Sequence, residues 1–358
     1  MHSKKIIIIA GGSGGHVFPG ITIANYLIKH GWEVNWIGTK NKIESEVVPK
    51  NNIKIHFIQI NGLRNTNLKN LIYSPIYILK SYLKVKKIIN NYFPNIILGM
   101  GGYVSGPGCL AAWSSKIPFI LHEQNKIPGI TNRILSKIST KNMQAFSGAL
   151  KNAEVVGNPI RENIIQIKPP INRFKNRSGP LRILIIGGSQ GASIFNSILP
   201  KIPLFLKSKV IIWHQTGKKE LEKTQKKYQK YGLHQHIIDD FIENIASAYE
   251  WADLVISRSG ALTVSEISSV GLGSILIPYP HKDQQQLLNA QDLKKNGAAK
   301  IIDQSKFNIE NVVKILNSLD RYKLFIMAKK AFSLRVKDST KKIFKIINNI
   351  TEKQILNN

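Results

Sequence analysis

A single cysteine, Cys109, among 358 residues allows no intramolecular disulfide and no cysteine-based metal cluster, which fits a reducing compartment. Long apolar runs are also absent. No stretch approaches the ~18 residues that span a bilayer, and Lys4 and Lys5 precede only five apolar residues before a glycine, too few for a signal-peptide core. These absences predict a chain kept in the cytoplasm. Acidic residues are scarce, 21 against 51 basic ones, for a net charge of +30. Such a surplus suggests an anionic partner: nucleic acid, a membrane surface or a phosphorylated substrate. Lysines scattered over a surface, in a composition also rich in isoleucine and asparagine, need bind nothing. No helix-turn-helix, zinc-finger spacing or aromatic RNA-binding signature accompanies the charge, which argues against nucleic acid.

What is present is ample apolar material, 43 % of residues, enough for two cores. Short β-branched runs alternate with amphipathic stretches: KKIIIIA (4–10), WEVNWIG (32–38), IKIHFIQI (53–60), NIILGMGG (95–102) and KIPFILHEQN (116–125). After the polar, proline-containing stretch KPPINRFKNRSGP (168–180) the pattern restarts with LRILIIGGSQGA, KVIIWHQTG, QHIIDDFI, ADLVISRSGALTVSEISSVG and SILIPYP. Strands alternating with helices imply parallel sheets covered on both faces. The sequence therefore predicts an α/β protein of two doubly wound domains, residues 1–160 and 161–340, with the terminal helix 341–358 free to pack back onto the first.

In each half the first strand runs into a glycine-rich turn and then a helix: GGSGGH (11–16) and GGSQGA (187–192). Such a turn offers backbone N–H groups and the positive end of a helix to an anion. Taken singly, each also reads as a tight strand-to-helix turn that binds nothing. The dinucleotide fingerprint fails, because from Gly12 the pattern gives Gly14 and then Val17, and no acidic residue closes the second strand. The phosphate loop GxxxxGK[ST] is absent as well. A sugar nucleotide or another diphosphate ester, held between two such domains, remains.

The strings GGSGGHVFPG (11–20), GMGGYVSGPG (99–108), LHEQN (121–125), VVGNPIR (155–161), GGSQGA (187–192), SRSGALTVSEI (257–267) and HKDQQQLLNA (281–290) closely resemble, in order and spacing, the MurG family of N-acetylglucosaminyltransferases. The resemblance covers nearly the whole chain. It implies a GT-B glycosyltransferase fold, two Rossmann-like domains facing a cleft, with UDP-GlcNAc on the C-terminal domain and a lipid-linked acceptor, lipid I, on the N-terminal one. The reaction it implies is inverting transfer of GlcNAc to the C4 hydroxyl of MurNAc, giving lipid II, with no cofactor and no metal.

Displacement at an anomeric carbon needs a base and a stabilised leaving group. His16 is the candidate base, with Glu123 a second catalytic candidate; His16 is alternatively a residue that packs the turn and orients substrate, and Glu123 alternatively structural. By resemblance, Ser13, Gly14, Gly15 and Asn125 border the substrates, and the segment bearing Tyr103 suits the acceptor diphosphate. Ser189 and Arg161 face the donor diphosphate, and Ile242 offers its backbone to uracil. Ala261, Leu262, Thr263, Val264, Ser265 and Glu266 line the donor pocket, with Glu266 accepting from the ribose, while Gln285 and Gln286 read the sugar hydroxyls. Locally, Thr263 and Glu266 also have the spacing of a helix capping box.

Segment 68–92 carries an apolar stripe of Leu71, Ile72, Ile76, Leu79, Tyr82 and Leu83 ringed by Lys69, Lys80, Lys84, Lys86 and Lys87. Alone it reads as an ordinary helix with a solvated lysine face. The resemblance to peripheral enzymes of the inner membrane turns the expectation towards an anionic membrane surface, joined by Trp113 and Lys116, with other cell-wall and division proteins as further partners. A sugar-nucleotide 2-epimerase and an idle scaffold are the alternatives from other classes.

Overall fold

The computed structural model describes residues 3–60, 68–188 and 191–356, with residues 68–74 and 355 described by their backbone alone. The chain divides into two compact units, Met1–Ile160 with Val336–Asn358, and Arg161–Arg335.

The first unit holds a seven-stranded parallel sheet: β1 Lys5–Ile9, β2 Glu33–Thr39, β3 Lys54–Ile58, β4 Ile96–Gly99, β5 Phe119–Glu123, β6 Lys141–Gln144 and β7 Glu154–Val155, in the order β3-β2-β1-β4-β5-β6-β7. Four consecutive isoleucines in β1 are explained by burial on both faces. Ile6 and Ile8 enter one apolar cluster while Ile7 and Ile9 enter the other. Helices α1 Gly14–Lys29, α2 Ile43–Lys50, α3 Leu68–Tyr92, α4 Ser105–Ser114 and α5 Ile130–Leu135 cover the sheet. The terminal helix Ser339–Leu356 belongs to this unit, where Ile343 and Ile347 complete the cluster that contains Ile23 and Leu27 of α1.

The second unit holds β8 Leu181–Ile186, β9 Val210–Gln215, β10 Ile237–Asp239, β11 Leu254–Ser257, β12 Gly273–Leu276 and β13 Ala299–Ile301, again all parallel, in the order β10-β9-β8-β11-β12-β13. In each sheet the strand order reverses direction once, between β1 and β4 and between β8 and β11. Open α/β sheets bind ligands outside the carboxyl ends of the strands at such a reversal. The glycine-rich strings 11–15, 99–102 and 187–191 and the SRSG string 257–260 follow β1, β4, β8 and β11 respectively, so they flank the two reversals.

Two helix starts bear on the site. Helix α1 starts at Gly14, so His16 stands on its first turn. Tertiary packing overrides the poor helix propensity here, because Gly20 lets Trp36 come so near that a Cβ would lie 2.7 Å from its ring. Thr263 and Glu266 form no capping box, because the helix Ala261–Val270 begins at Ala261 with Gly260 as its N-cap, and Glu266 is engaged elsewhere.

That helix ends on Gly271 in the left-handed region, φ 69°. A Cβ there would lie 2.5 Å from Pro170 Cγ and 2.8 Å from Phe332 Cβ. Strain and overpacking together predict that Gly271→Ala costs about 2–4 kcal/mol of the second unit's stability. In denaturant titration the midpoint falls with an unchanged slope; an unmoved midpoint contradicts the packing described.

Candidate functional site

In the first unit the turn after β1 is built on a buried carboxylate. Glu44, from the first turn of α2, accepts from the Gly12 N–H with both oxygens (3.1 and 3.3 Å) and from Thr39 through its N–H (3.1 Å) and hydroxyl (2.6 Å). It is 0 % exposed, and among the described residues no cation pairs with it. Gly11 and Gly38 make room for it, since a Cβ on either would collide with its side chain. The Gly12 amide is thereby committed to Glu44, and the amides of Gly14 and Gly15 open the helix beyond it. Tyr103 closes the other side of the turn, 3.0 Å from where a Gly12 Cβ would stand.

Ser13 Oγ and His16 Nδ1 are 3.0 Å apart, and with the proton on Nδ1 the second ring nitrogen presents a lone pair. Burial lowers the imidazole to about 4, against the opposing influence of Glu44, so the ring is neutral at pH 7. Gly101 leaves the space beside it: a Cβ there would lie 3.3 Å from His16 Nε2 and 3.1 Å from Asn132 Nδ2. The structure thus brings together Ser13, Gly14, Gly15, His16 and Tyr103.

Glu123, 2 % exposed at the end of β5, reaches the same neighbourhood only through Asn132. Its carboxylate accepts from the Asn125 N–H (2.9 Å) and amide (3.3 Å), the Gly129 N–H (3.2 Å) and Asn132 Nδ2 (2.9 Å). Burial raises its proton affinity and these four bonds oppose the rise. Its oxygens fasten the loop that carries Asn125.

In the second unit Glu266 is 5 % exposed on the helix after β11. Arg161 Nη2 donates to its Oε1 and Tyr249 Oη to its Oε2, each at 3.0 Å. Burial raises Glu266, while the guanidinium and the phenol pull it down; Tyr249 is itself raised by its burial beside that carboxylate. The same helix presents the backbone of Ala261, Leu262 and Thr263 at its N-terminus, with Val264 turned into the core and Ser265 on the next turn. Gln286 Oε1 accepts from the N–H groups of Ser259 (3.3 Å) and Tyr279 (2.9 Å), and the Gln285 N–H donates to Asp283 (3.1 Å). Ser189 lies outside the described residues; beside it, Gly191 has φ 72° and its missing Cβ is what keeps it clear of Thr216 O.

Three residues of these sites escape a reading of the sequence: Glu44, Tyr249 and Gln215. Gln215, at the end of β9, donates to Gly188 O (2.9 Å) and accepts from the Ile242 N–H (3.3 Å), so it ties the second glycine turn to the loop of Ile242. The local signals for all three are ordinary ones, a glutamate opening a helix, a core tyrosine and a strand-end glutamine. Only the fold makes them partners of the motifs.

Models of glycosyltransferase family 28 match both halves, its N-terminal domain over residues 6–144 and its C-terminal domain over residues 182–343. The chain is 73 % identical over 353 residues, 99 % of its length and 100 % of the relative's, to the UDP-N-acetylglucosamine–N-acetylmuramyl-(pentapeptide) pyrophosphoryl-undecaprenol N-acetylglucosamine transferase of Buchnera aphidicola subsp. Schizaphis graminum (strain Sg). It is 48 % identical to the protein of the same name from Serratia proteamaculans (strain 568), over 95 % of this chain and 96 % of that one. Among solved structures it resembles Acinetobacter baumannii MurG, with a TM-score of 0.84 and 34 % identity over 97 % of this chain and 99 % of that one. With both halves matched in order and relatives aligned almost end to end, the chain belongs to the MurG family, within glycosyltransferase family 28.

Proposed function

We propose that this protein transfers GlcNAc from UDP-GlcNAc to the C4 hydroxyl of MurNAc in undecaprenyl-diphospho-MurNAc-pentapeptide, with inversion at the anomeric carbon and release of UDP. The observation that carries the reading is the end-to-end identity to relatives named for that transfer. The following roles are in keeping with the geometry. Neutral His16 takes the proton of the acceptor hydroxyl as its oxygen forms a bond to C1 of GlcNAc, and the bond from C1 to the β-phosphate oxygen breaks. The diphosphate's growing charge meets the backbone N–H groups of the second glycine turn and of the helix starting at Ala261, with Ser189 and Arg161 beside it. Glu266 accepts from the ribose hydroxyls. The Ile242 N–H is committed to Gln215, so its carbonyl is the atom offered to uracil. Gln286 spends its carbonyl oxygen on two backbone amides and offers its NH₂ to a sugar hydroxyl.

An assay with a short-chain acceptor analogue tests the reading. UDP release matched by a gain of one GlcNAc in acceptor mass is expected. Turnover of UDP-GlcNAc with no change in acceptor mass overturns it in favour of an epimerase.

A peripheral place on the cytoplasmic face of the inner membrane belongs to the same proposal. Among the described residues no helix is long and apolar enough to cross a membrane. On α3, Ser81, Val85 and Ile89 face the core, while Ile76, Leu79 and Leu83 are exposed among Lys80, Lys84 and Lys87. Trp113, 57 % exposed at the end of α4, extends this surface, and α4 is tied to α3 by the hydrogen bond from Tyr82 Oη to Ser114 Oγ (2.8 Å). Tyr82 is therefore turned half inward; the side chains of Lys69, Leu71 and Ile72 lie outside the described residues. Replacing Lys80, Lys84 or Lys87 by Gln is expected to weaken partition onto anionic vesicles by about 1 kcal/mol each, an effect that fades in high salt. Partition indifferent to both salt and these lysines contradicts the proposed face.

A further inference from the structure

We infer that Glu44 is a positioning residue of the reaction, whose carboxylate holds the first glycine turn and stabilises the imidazolium that forms when His16 accepts the acceptor's proton. The inference rests on the reading of His16 as the base. The two residues are held by the two sides of one short turn: Glu44 by the Gly12 N–H, and His16 by Ser13, the next residue along. Burying a carboxylate without a counter-charge is unfavourable, and hydrogen bonds from Gly12 and Thr39 are what offset it here. His16 becomes a cation when it accepts the proton, and Glu44 already acts on its charge. An imidazolium forming on this turn meets the opposite charge of a carboxylate that is itself 0 % exposed.

The other titratable groups around His16 do not supply this. Tyr103, from the segment after β4, is a phenol. His122 on β5 is held neutral by burial, with Nε2 bonded to Gly157 O at 2.9 Å and Nδ1 to the Gln124 amide. Glu123, also on β5, is engaged by its own loop through Asn125, Gly129 and Asn132 of α5. On α1 itself, Ser13 contributes only a hydroxyl. Burial lowers His16 and Glu44 opposes that lowering, in keeping with the geometry.

The sign of a titration separates a charge role from scaffolding. In Glu44→Gln, loss of the charge moves the His16 midpoint, followed by NMR of its ring, below that of the wild type. The kcat plateau falls about tenfold, and the ratio of kcat/KM at low pH to that at neutral pH rises. If Glu44 were only a scaffold, a loosened turn would let water in and His16 would rise towards its unperturbed value near 6.5. A midpoint that rises or does not move overturns the inference. Thr39→Val, which removes the 2.6 Å hydroxyl bond and leaves the carboxylate in place, is expected to keep kcat within about threefold of wild type. A loss of about tenfold in Thr39→Val overturns the charge role as well, and that threshold applies whether or not Glu44→Gln folds. The ring titration reads the Glu44–His16 coupling whether or not His16 is the base, and turnover of His16→Ala reads the base alone, so the two failures are distinguishable.

Discussion

His16→Ala is expected to lower kcat for GlcNAc transfer by about 10²- to 10⁴-fold, the range supplied by a positioned general base, while KM for UDP-GlcNAc changes little. The expectation follows from three features. The ring is neutral at pH 7, because burial holds it near 4. Its Nδ1 is oriented by Ser13 at 3.0 Å, which directs Nε2 towards the space left by Gly101. It also belongs to the unit that does not contain Glu266, so its removal leaves the proposed donor contacts untouched. A low pKa limits the thermodynamic pull of this base, so its contribution comes from orientation and from being unprotonated at working pH. Steady-state kinetics on folded protein checks the point, and turnover at the wild-type rate removes His16 from the mechanism.

Glu266→Gln is expected to raise KM for UDP-GlcNAc by about 10- to 100-fold with kcat much less affected, since hydrogen bonds to a charged acceptor are worth about 1.5–3 kcal/mol. The carboxylate is 5 % exposed and held on both oxygens. An amide in its place sets an NH₂ group against either the Arg161 guanidinium or the Tyr249 hydroxyl, so the side chain turns or its partners move. Tyr249 lies in the core, and losing its acceptor there costs about 1–3 kcal/mol of stability, which a thermal melt reports separately from donor affinity. The pH dependence has a defined sign. Burial raises Glu266 above the ordinary carboxylate range, so donor affinity is full above that raised value and falls as pH drops through it, earlier than for an exposed glutamate. Unchanged calorimetric affinity for UDP in Glu266→Gln contradicts the ribose role.

Much of this was legible in the sequence, for identifiable reasons. Unbroken β-branched runs such as Ile6–Ile9 have only one use in a soluble α/β pattern, a strand covered on both faces, and the restart after residue 180 gave the second sheet. The glycine strings marked places of special backbone, and Gly12, Gly101, Gly102 and Gly191 there combine positive φ with a close approach of neighbouring protein atoms. What stayed hidden were the side chains that act from beneath those strings. Glu44 sits among the exposed polar residues of a short helix in the sequence, and nothing local separates it from Glu46 two positions on. Tyr249 and Gln215 serve Glu266 and Ile242 across 17 and 27 residues, distances that only the parallel sheet closes. Two glycines weaken the start of α1 locally, and the close approach of Gly20 to Trp36 offsets them.

In the proposed division of labour one unit carries the base for the acceptor and the other reads the sugar nucleotide through a buried carboxylate. A crystal structure with bound UDP-GlcNAc tests it most directly. Both ribose hydroxyls are expected within hydrogen-bond distance of Glu266, and the diphosphate beside Gly188 and Gly191. A nucleotide seated on the first unit, or bound in the second with Glu266 still closed by Arg161 and Tyr249 alone, contradicts it.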